Sequence, residues 1–168
     1  MIDTERLSLY PLTFSQLKLR VQEQDELAKE LNISFVSPKI NTEEAEAIEK
    51  SFLPALAEGL KDYLFYTMWL ILRKEDRVVI GGICFHGSPD VSGEVEIGYG
   101  LESQFQKKGY MKETILAMLD WLRERDDVKS VIAETDPANI PSVSLLENCG
   151  FSFYENKDEN VIYKKILK

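Results

Sequence analysis

Apolar and polar positions change period several times along the chain, and each change marks an element. Arg6-Leu7-Ser8-Leu9-Tyr10 alternates up to Pro11 and predicts a short strand. Thr13 and Ser15 can cap the helix predicted by Leu17, Val21, Leu27 and Leu31. Asn41-Thr42-Glu43-Glu44 opens a second helix with Thr42 as its cap. Ala45, Ile48 and Phe52 give that helix an apolar stripe until Pro54 interrupts it, and Pro54 to Leu60 restarts as a further turn. From Tyr66 the pattern becomes β-rich: Tyr66–Arg73 and Val78–Phe85, joined by the polar Lys74-Glu75-Asp76-Arg77, predict a hairpin. Gly93 to Leu101 sets Val95, Ile97, Tyr99 and Leu101 against acids and glycines, as a strand does, with Gly98 and Gly100 weakening its regular pairing.

Past a loop at Gln106–Met111, Ile115, Met118, Leu119 and Leu122 recur at helical spacing and predict a helix ending near Arg125. Val128–Thr135 follows as a strand and Ser142–Asn148 as a short helix stopped by Gly150. Phe151–Phe153 with Val161, Tyr163 and Ile166 forms a closing hairpin. The order is β-α-α-β-β-β-α-β-α-β-β, a mixed α/β (α+β) sheet with no repeat and no linker. With 168 residues, 44% hydrophobic and 29% charged, the chain suits one domain, 1–168, with a true core, which excludes a mostly disordered protein.

Composition then removes several classes. The longest apolar run, Tyr63–Leu72, is far shorter than the roughly 20 residues that cross a bilayer. Met1–Arg6 carries no export pattern, so no membrane partner and a cytoplasmic location are expected. Cys84 and Cys149 are too few for a disulfide framework and are expected to be reduced core residues. His86 is the only histidine and reads as structural or exposed; sites built on two or three imidazoles are excluded within one chain, so a metal-free mechanism is expected. Trp69 and Trp121 sit in apolar patterns and read as packing residues. Of the net charge of −9, two thirds falls between Gln22 and Asp62, where acids outnumber lysines ten to four. Lys107, Lys108 and Lys112 form a basic island in a protein that otherwise repels nucleic acid, so no nucleic-acid partner is expected.

That island lies between a strand and a helix, in Gln106-Lys107-Lys108-Gly109-Tyr110-Met111. A helix N-terminus leaves about four backbone N–H groups unpaired and a glycine lets the backbone approach an anion, so such a loop can hold a diphosphate. An ordinary strand-to-helix turn is the other reading. Neither GxxxxGK[ST] nor GxGxxG is present.

The loop resembles the acetyl-CoA motif of the GCN5-related N-acetyltransferase (GNAT) family, Gln or Arg, two variable residues, Gly, one variable residue, then Gly or Ala, with Met111 in place of the last small residue. Thr4-Glu5-Arg6-Leu7 with Pro11-Leu12-Thr13 resembles the opening of the ribosomal-protein N-terminal acetyltransferase subgroup. Glu96-Ile97-Gly98-Tyr99 resembles its fourth strand, and Asn139 through Ser142 to Glu147-Asn148-Cys149-Gly150-Phe151 its Asn-x-x-Ser … Glu-x-x-Gly-Phe segment. The resemblance implies a largely antiparallel sheet flanked by helices and a V-shaped opening between the strands ending near Leu101 and Thr135. Acetyl-CoA is implied as co-substrate, its pantetheine arm on the backbone of Tyr99, Gly100 and Leu101. The diphosphate would rest on Gln106, Lys107, Lys108, Gly109, Tyr110 and Met111, assisted by Lys112, with Asn139 on the pantetheine amide. The Met111 side chain either crowds the diphosphate or points into the core.

Acetyl transfer to an amine needs a neutral amine, a polarised thioester and a proton for the departing thiolate. An alkylamine with a pKa of about 10 is mostly protonated at neutral pH, so a carboxylate base is expected. Glu96 is the first candidate, facing away from Val95, Ile97 and Tyr99, and Glu134 is the second; the alternative for each is a solvated or salt-bridged strand carboxylate. Many family members carry a tyrosine donor seven residues after the Asn, which here is Leu146; Ser142 takes that part by resemblance, or is a plain helix cap. The expected function is acetyl transfer to a primary amine, a protein N-terminus or a small cationic amine, by a monomer or homodimer. A catalytically silent acyl-CoA-binding sensor or scaffold is the alternative.

Overall fold

The computed structural model describes residues 1–59 and 62–168. Leu60, where the predicted helical restart ends, and Lys61 in the acidic region lie outside them. The strands are β1 (Ile2–Asp3), β2 (Leu7–Pro11), β3 (Ser34–Phe35), β4 (Met68–Arg73), β5 (Val78–Phe85), β6 (Glu94–Leu101), β7 (Ser130–Thr135), β8 (Ser152–Lys157) and β9 (Asn160–Ile166). They run in the spatial order β1-β2-β4-β5-β6-β7-β9-β8, with β3 alongside β5. Neighbours are antiparallel except for β6 with β7 and β3 with β5.

Helices cover both faces. On one side lie α5 (Tyr110–Arg123) and α6 (Ile140–Asn148). Tyr110, Met111, Thr114, Ile115, Met118, Leu119 and Leu122 of α5 are buried, the i, i+3, i+4 spacing of an apolar helix face. On the other side lie α1 (Phe14–Gln22), α2 (Gln24–Leu31), α3 (Thr42–Ala47) and α4 (Leu53–Ala57). The alternation of β4 divides the two cores: Trp69 and Ile71 pack with α5, while Met68, Leu70 and Leu72 pack with Leu17, Leu27, Ile48 and Phe52. Trp121 stacks edge-on against Trp69 with ring centroids 5.4 Å apart, so both tryptophans are packing residues, as the sequence predicts. Among the described residues no helix is long and apolar enough to cross a membrane.

Several local expectations are corrected. The first helix is two, because the Leu17–Val21 stripe would bring Gln24 to the core face, and the chain instead turns at Glu23 (φ −144°, ψ 62°) before α2 starts. Asn41, not Thr42, caps α3: its side chain accepts from the Glu44 N–H at 2.8 Å. Pro54 does not interrupt the helix, because Ile48–Phe52 widens into a π turn that leads directly into α4 and leaves the proline in that helix's first turn. β1 and β3 are strands of two residues, too short to give any alternation. Gly98 and Gly100 pair in unbroken register with Cys84 and Gly82. The glycine that close approach requires is their neighbour Gly81, where a Cβ would lie 2.2 Å from the Gly100 carbonyl oxygen.

Candidate active site

β6 and β7 are hydrogen-bonded only over Glu94–Glu96 against Ser130–Ile132. β6 then continues to Leu101 with β5 alone, and β7 to Thr135 with β9 alone. The sheet therefore forks after Glu96, and among the described residues the outer edge of β6 from Ile97 to Leu101 has no strand partner. Backbone N–H and C=O groups demand partners. An extended ligand backbone is the form of partner such an edge accepts.

The edge runs into the glycine loop. Gln106 donates from Nε2 to the Leu101 carbonyl at 3.1 Å, folding the loop back on the strand. Gly109 has φ +81°, left-handed backbone that suits glycine, and is the N-cap of α5 without any side-chain acceptor for the helix's first N–H groups. Arg6 braces this turn from below: Nη1 donates to the Lys108 carbonyl at 3.1 Å, Nε pairs with Glu113 at 2.7 Å, and the guanidinium lies 4.5 Å from the Tyr110 ring centre. Tyr110 and Met111 side chains are buried in the core, so Met111 turns away from the loop's open side and only its backbone faces the turn. Lys107, Lys108 and Lys112 are exposed.

At the fork, Glu96 Oε1 is 2.9 Å from His86 Nδ1. The imidazole's pKa is raised above its ordinary 6.5 by hydrogen bonding to the Cys84 side chain first and to Glu96 second, against desolvation. Hydrogen bonding to His86 in turn holds Glu96 below the usual carboxylate range. Glu134 is fully occupied, with Oε2 at 2.6 Å from Lys157 Nζ and Oε1 at 2.7 Å from Asn160 Nδ2, and Lys157 holds its pKa down. Both carboxylates are thus paired, Glu134 with Lys157 and Glu96 with His86.

Across the fork the Tyr99 and Ser142 hydroxyls are 3.3 Å apart, and burial raises the phenol's pKa. Ser142 is not the cap of α6. Asn139 is, its oxygen accepting from the Ser142 N–H at 3.2 Å. Leu146 is fully buried, which explains why an apolar residue serves there. Cys149 is core, its thiol pKa raised by burial, whereas Cys84 departs from the expected core role: it is half-buried and lines a cavity.

That cavity, about 620 Å³, runs from the fork toward α1 and α3; Phe35, Glu43, Glu44, His86 and Gly98 are among its walls. Arg20 is clamped there by both Glu44 oxygens at 2.8 and 3.1 Å and stacks on Phe35. Of the acids concentrated between Gln22 and Asp62, Glu43 and Glu44 reach this wall. The His86–Glu96 pairing is the feature the sequence hides. It follows from a register in which Cys84 faces Gly98 and Phe85 faces Ile97, and the long connection between the two strands does not fix that register in advance.

The acetyltransferase (GNAT) domain family matches residues 6–152. The chain belongs to the GNAT family. Among GNAT relatives, it is 28% identical over 153 residues to the uncharacterized N-acetyltransferase YjdG of Bacillus subtilis (strain 168), covering 90% of this chain and 89% of YjdG. It is 26% identical to the uncharacterized N-acetyltransferase p20 of Bacillus licheniformis, over 88% of this chain and 80% of p20. Among solved GNAT folds, RimL, a ribosomal L7/L12 alpha-N-protein acetyltransferase in complex with coenzyme A, superposes with a TM-score of 0.66 at 18% identity, covering 97% of this chain and 95% of RimL. The ribosomal-protein-S5-alanine acetyltransferase of Vibrio fischeri gives 0.67 at 19% identity, covering 98% and 94%.

Proposed function

We propose that this GNAT protein transfers the acetyl group of acetyl-CoA to a primary amine. One observation carries the reading: the unpartnered edge of β6 leads without a break into the uncapped, glycine-started N-terminus of α5. An elongated thioester with an anionic end fits both. The backbone of Tyr99, Gly100 and Leu101 holds the pantetheine arm; Gln106, Lys107, Lys108, Gly109, Tyr110 and Met111 hold the diphosphate through their amides, and Asn139 offers its carboxamide N–H. At Gly100 a Cβ would meet nothing within 4 Å, so the sheet face is open beside the edge where the arm would lie. Bound acetyl-CoA supplies an activated acyl carbon.

The chain's own groups handle the protons. The amine's proton leaves through the Glu96–His86 pair, and Ser142, hydrogen-bonded to Tyr99, donates to the departing sulfur. The acceptor enters from the cavity whose wall carries Glu43 and Glu44 beside Arg20 and Lys39; Arg20 pairs with Glu44, so a cationic amine is drawn by Glu43. The two ribosomal-protein acetyltransferases among its structural neighbours make a protein N-terminus the first acceptor to offer.

Steady-state assay of acetyl-CoA with a peptide bearing N-terminal serine, a peptide bearing N-terminal alanine, spermidine and an aminoglycoside is expected to give turnover on at least one. Acetyl-CoA binding with no turnover on any of them would favour the silent acyl-CoA-binding protein instead. If the acidic wall steers the acceptor, raising salt from about 0.05 to about 0.5 M should raise the acceptor KM several-fold while kcat holds, because exposed charges are screened over a shorter range. A flat response removes the steering.

A further inference from the structure

Building on the acetyltransferase reading above, we infer that the atom that takes the amine's proton is His86 Nε2, with Glu96 acting through the imidazole as a positioning residue. Three placements carry this. The cavity wall includes Cys84, His86, Gly98 and Gly100, and the imidazole is the more open of the pair, its side chain 54% exposed against 24% for Glu96. The Glu96 oxygen lies against Nδ1 at 2.9 Å, which fixes the proton of a neutral imidazole on that nitrogen and leaves Nε2 as the acceptor, beside the Cys84 thiol that an entering amine displaces. The ring lies directly over β6 at its forked stretch: a Cβ at Gly98 would be 2.8 Å from His86 Nε2, and the glycine is what admits the ring there. An acid orienting one ring nitrogen while the other faces the reacting group is the arrangement of a general base.

The proton and electron count closes. Neutral Nε2 takes one proton from the acceptor ammonium, freeing the lone pair that attacks the thioester carbon, and the second proton, left on nitrogen once the C–N bond has formed, passes to water. The C–N bond forms, the C–S bond breaks and its electron pair leaves with sulfur, which takes a proton from Ser142; Ser142 recovers one from Tyr99 and ultimately water. The imidazolium returns its proton to water. The products are an N-acetyl amine and the free thiol.

The titratable groups around the imidazole come from four strands: Cys84 on β5, Glu96 on β6, Glu134 on β7, and Lys157 on β8, which neutralises Glu134. The direct negative partner is Glu96. It stabilises the imidazolium, so the ring is a stronger base that must first be emptied of its proton. Rate should therefore fall as pH drops through the His86 pKa, and weakening the negative partner should move that fall to lower pH.

Because His86 is the only histidine, its C2–H proton resonance can be titrated by NMR without ambiguity. In the wild type the midpoint should lie above 6.5. In Glu96→Gln, whose amide oxygen still accepts from Nδ1, it should drop by about one unit or more. The acid limb of kcat/KM, measured with acetyl-CoA and the acceptors named above, should follow the NMR midpoint in both proteins. His86→Gln should lose about 100-fold or more in kcat together with the acid limb, while acetyl-CoA affinity holds. A merely structural imidazole would not tie the rate profile to its own titration. The inference is overturned if His86→Gln keeps the wild-type rate and limb, or if Glu96→Gln is as inactive as His86→Gln with its limb unmoved, which would make the carboxylate itself the base. Absence of turnover by the wild type on every acceptor overturns the transferase reading and the catalytic role of His86 with it. The NMR shift then still reports whether the two side chains are coupled.

Discussion

Gly109→Glu is expected to abolish measurable acetyl-CoA binding while leaving the protein folded. The position has φ +81°, so any side chain there costs about 1–2 kcal/mol of backbone strain. Space is available, since a Cβ would meet only Arg6 Nη2, at 3.4 Å. The added carboxylate stands at the N-terminus of α5, where the helix presents unpaired N–H groups and positive potential, and competes there with a diphosphate for both. Arg6 offsets only part of that charge: Nε and Nη1 are held by Glu113 and the Lys108 carbonyl, and Nη2 alone lies against the new side chain. Calorimetric titration should show at least about a 100-fold loss of affinity, worth roughly 2.7 kcal/mol. Gly109→Ala, carrying strain without charge, should lose far less. Equal binding by Gly109→Glu and wild type would move the diphosphate off this loop.

Trp69→Ala is expected to produce a large loss of stability. The side chain is 1% exposed, packs edge-on against Trp121, and donates from Nε1 to the Leu64 carbonyl at 3.0 Å. Removing it opens a cavity between β4 and α5 and leaves that carbonyl without its partner. Large-to-small changes of this kind cost about 3–5 kcal/mol, and whole domains are stable by only about 5–15 kcal/mol. Urea unfolding should register the drop as a lower midpoint. Trp69→Phe, which keeps most of the bulk and loses the hydrogen bond, should cost much less. A Trp69→Ala midpoint within a few tenths of a kcal/mol of wild type would mean that the site collapses around the gap.

The elements that bury a periodic face were readable along the chain, since burial is what imposes the period. β5 and the apolar face of α5 emerged in this way, as did the mixed sheet, whereas the helices flanking it and the signature of the Gln106–Met111 loop came from the resemblance to the GNAT family. What escaped was set by tertiary contact. Nothing in the local sequence says that Asn41 rather than Thr42 turns its side chain back on α3, or that a π turn will accommodate Pro54. The ends of α5 and β7 shifted by two residues for the same reason, as fraying ends follow no pattern of their own. At the site, the residue types were legible but their partnerships were not. Glu96 and Ser142 stood out as candidates; that Glu96 is held by His86 and Ser142 by Tyr99 depends on strand register and on the angle at which the sheet forks. Met111 illustrates the converse: its departure from a small residue is visible in sequence, and the direction its side chain takes, into the core, is visible only in the structure.

Three residue pairs join β6 to β7, and the Gly93 carbonyl, accepting from the Lys129 and Ser130 N–H groups, extends that short seam between the two halves of the sheet by one residue. On either side of it lie long antiparallel ladders, each with its own hairpin. The sheet is thus stitched in the middle by a few bonds and left open beyond them, which makes the seam its mechanically weakest line. A molecule pairing with the open edge of β6 would supply the missing rungs, so that filling the opening and holding the sheet together would be one act.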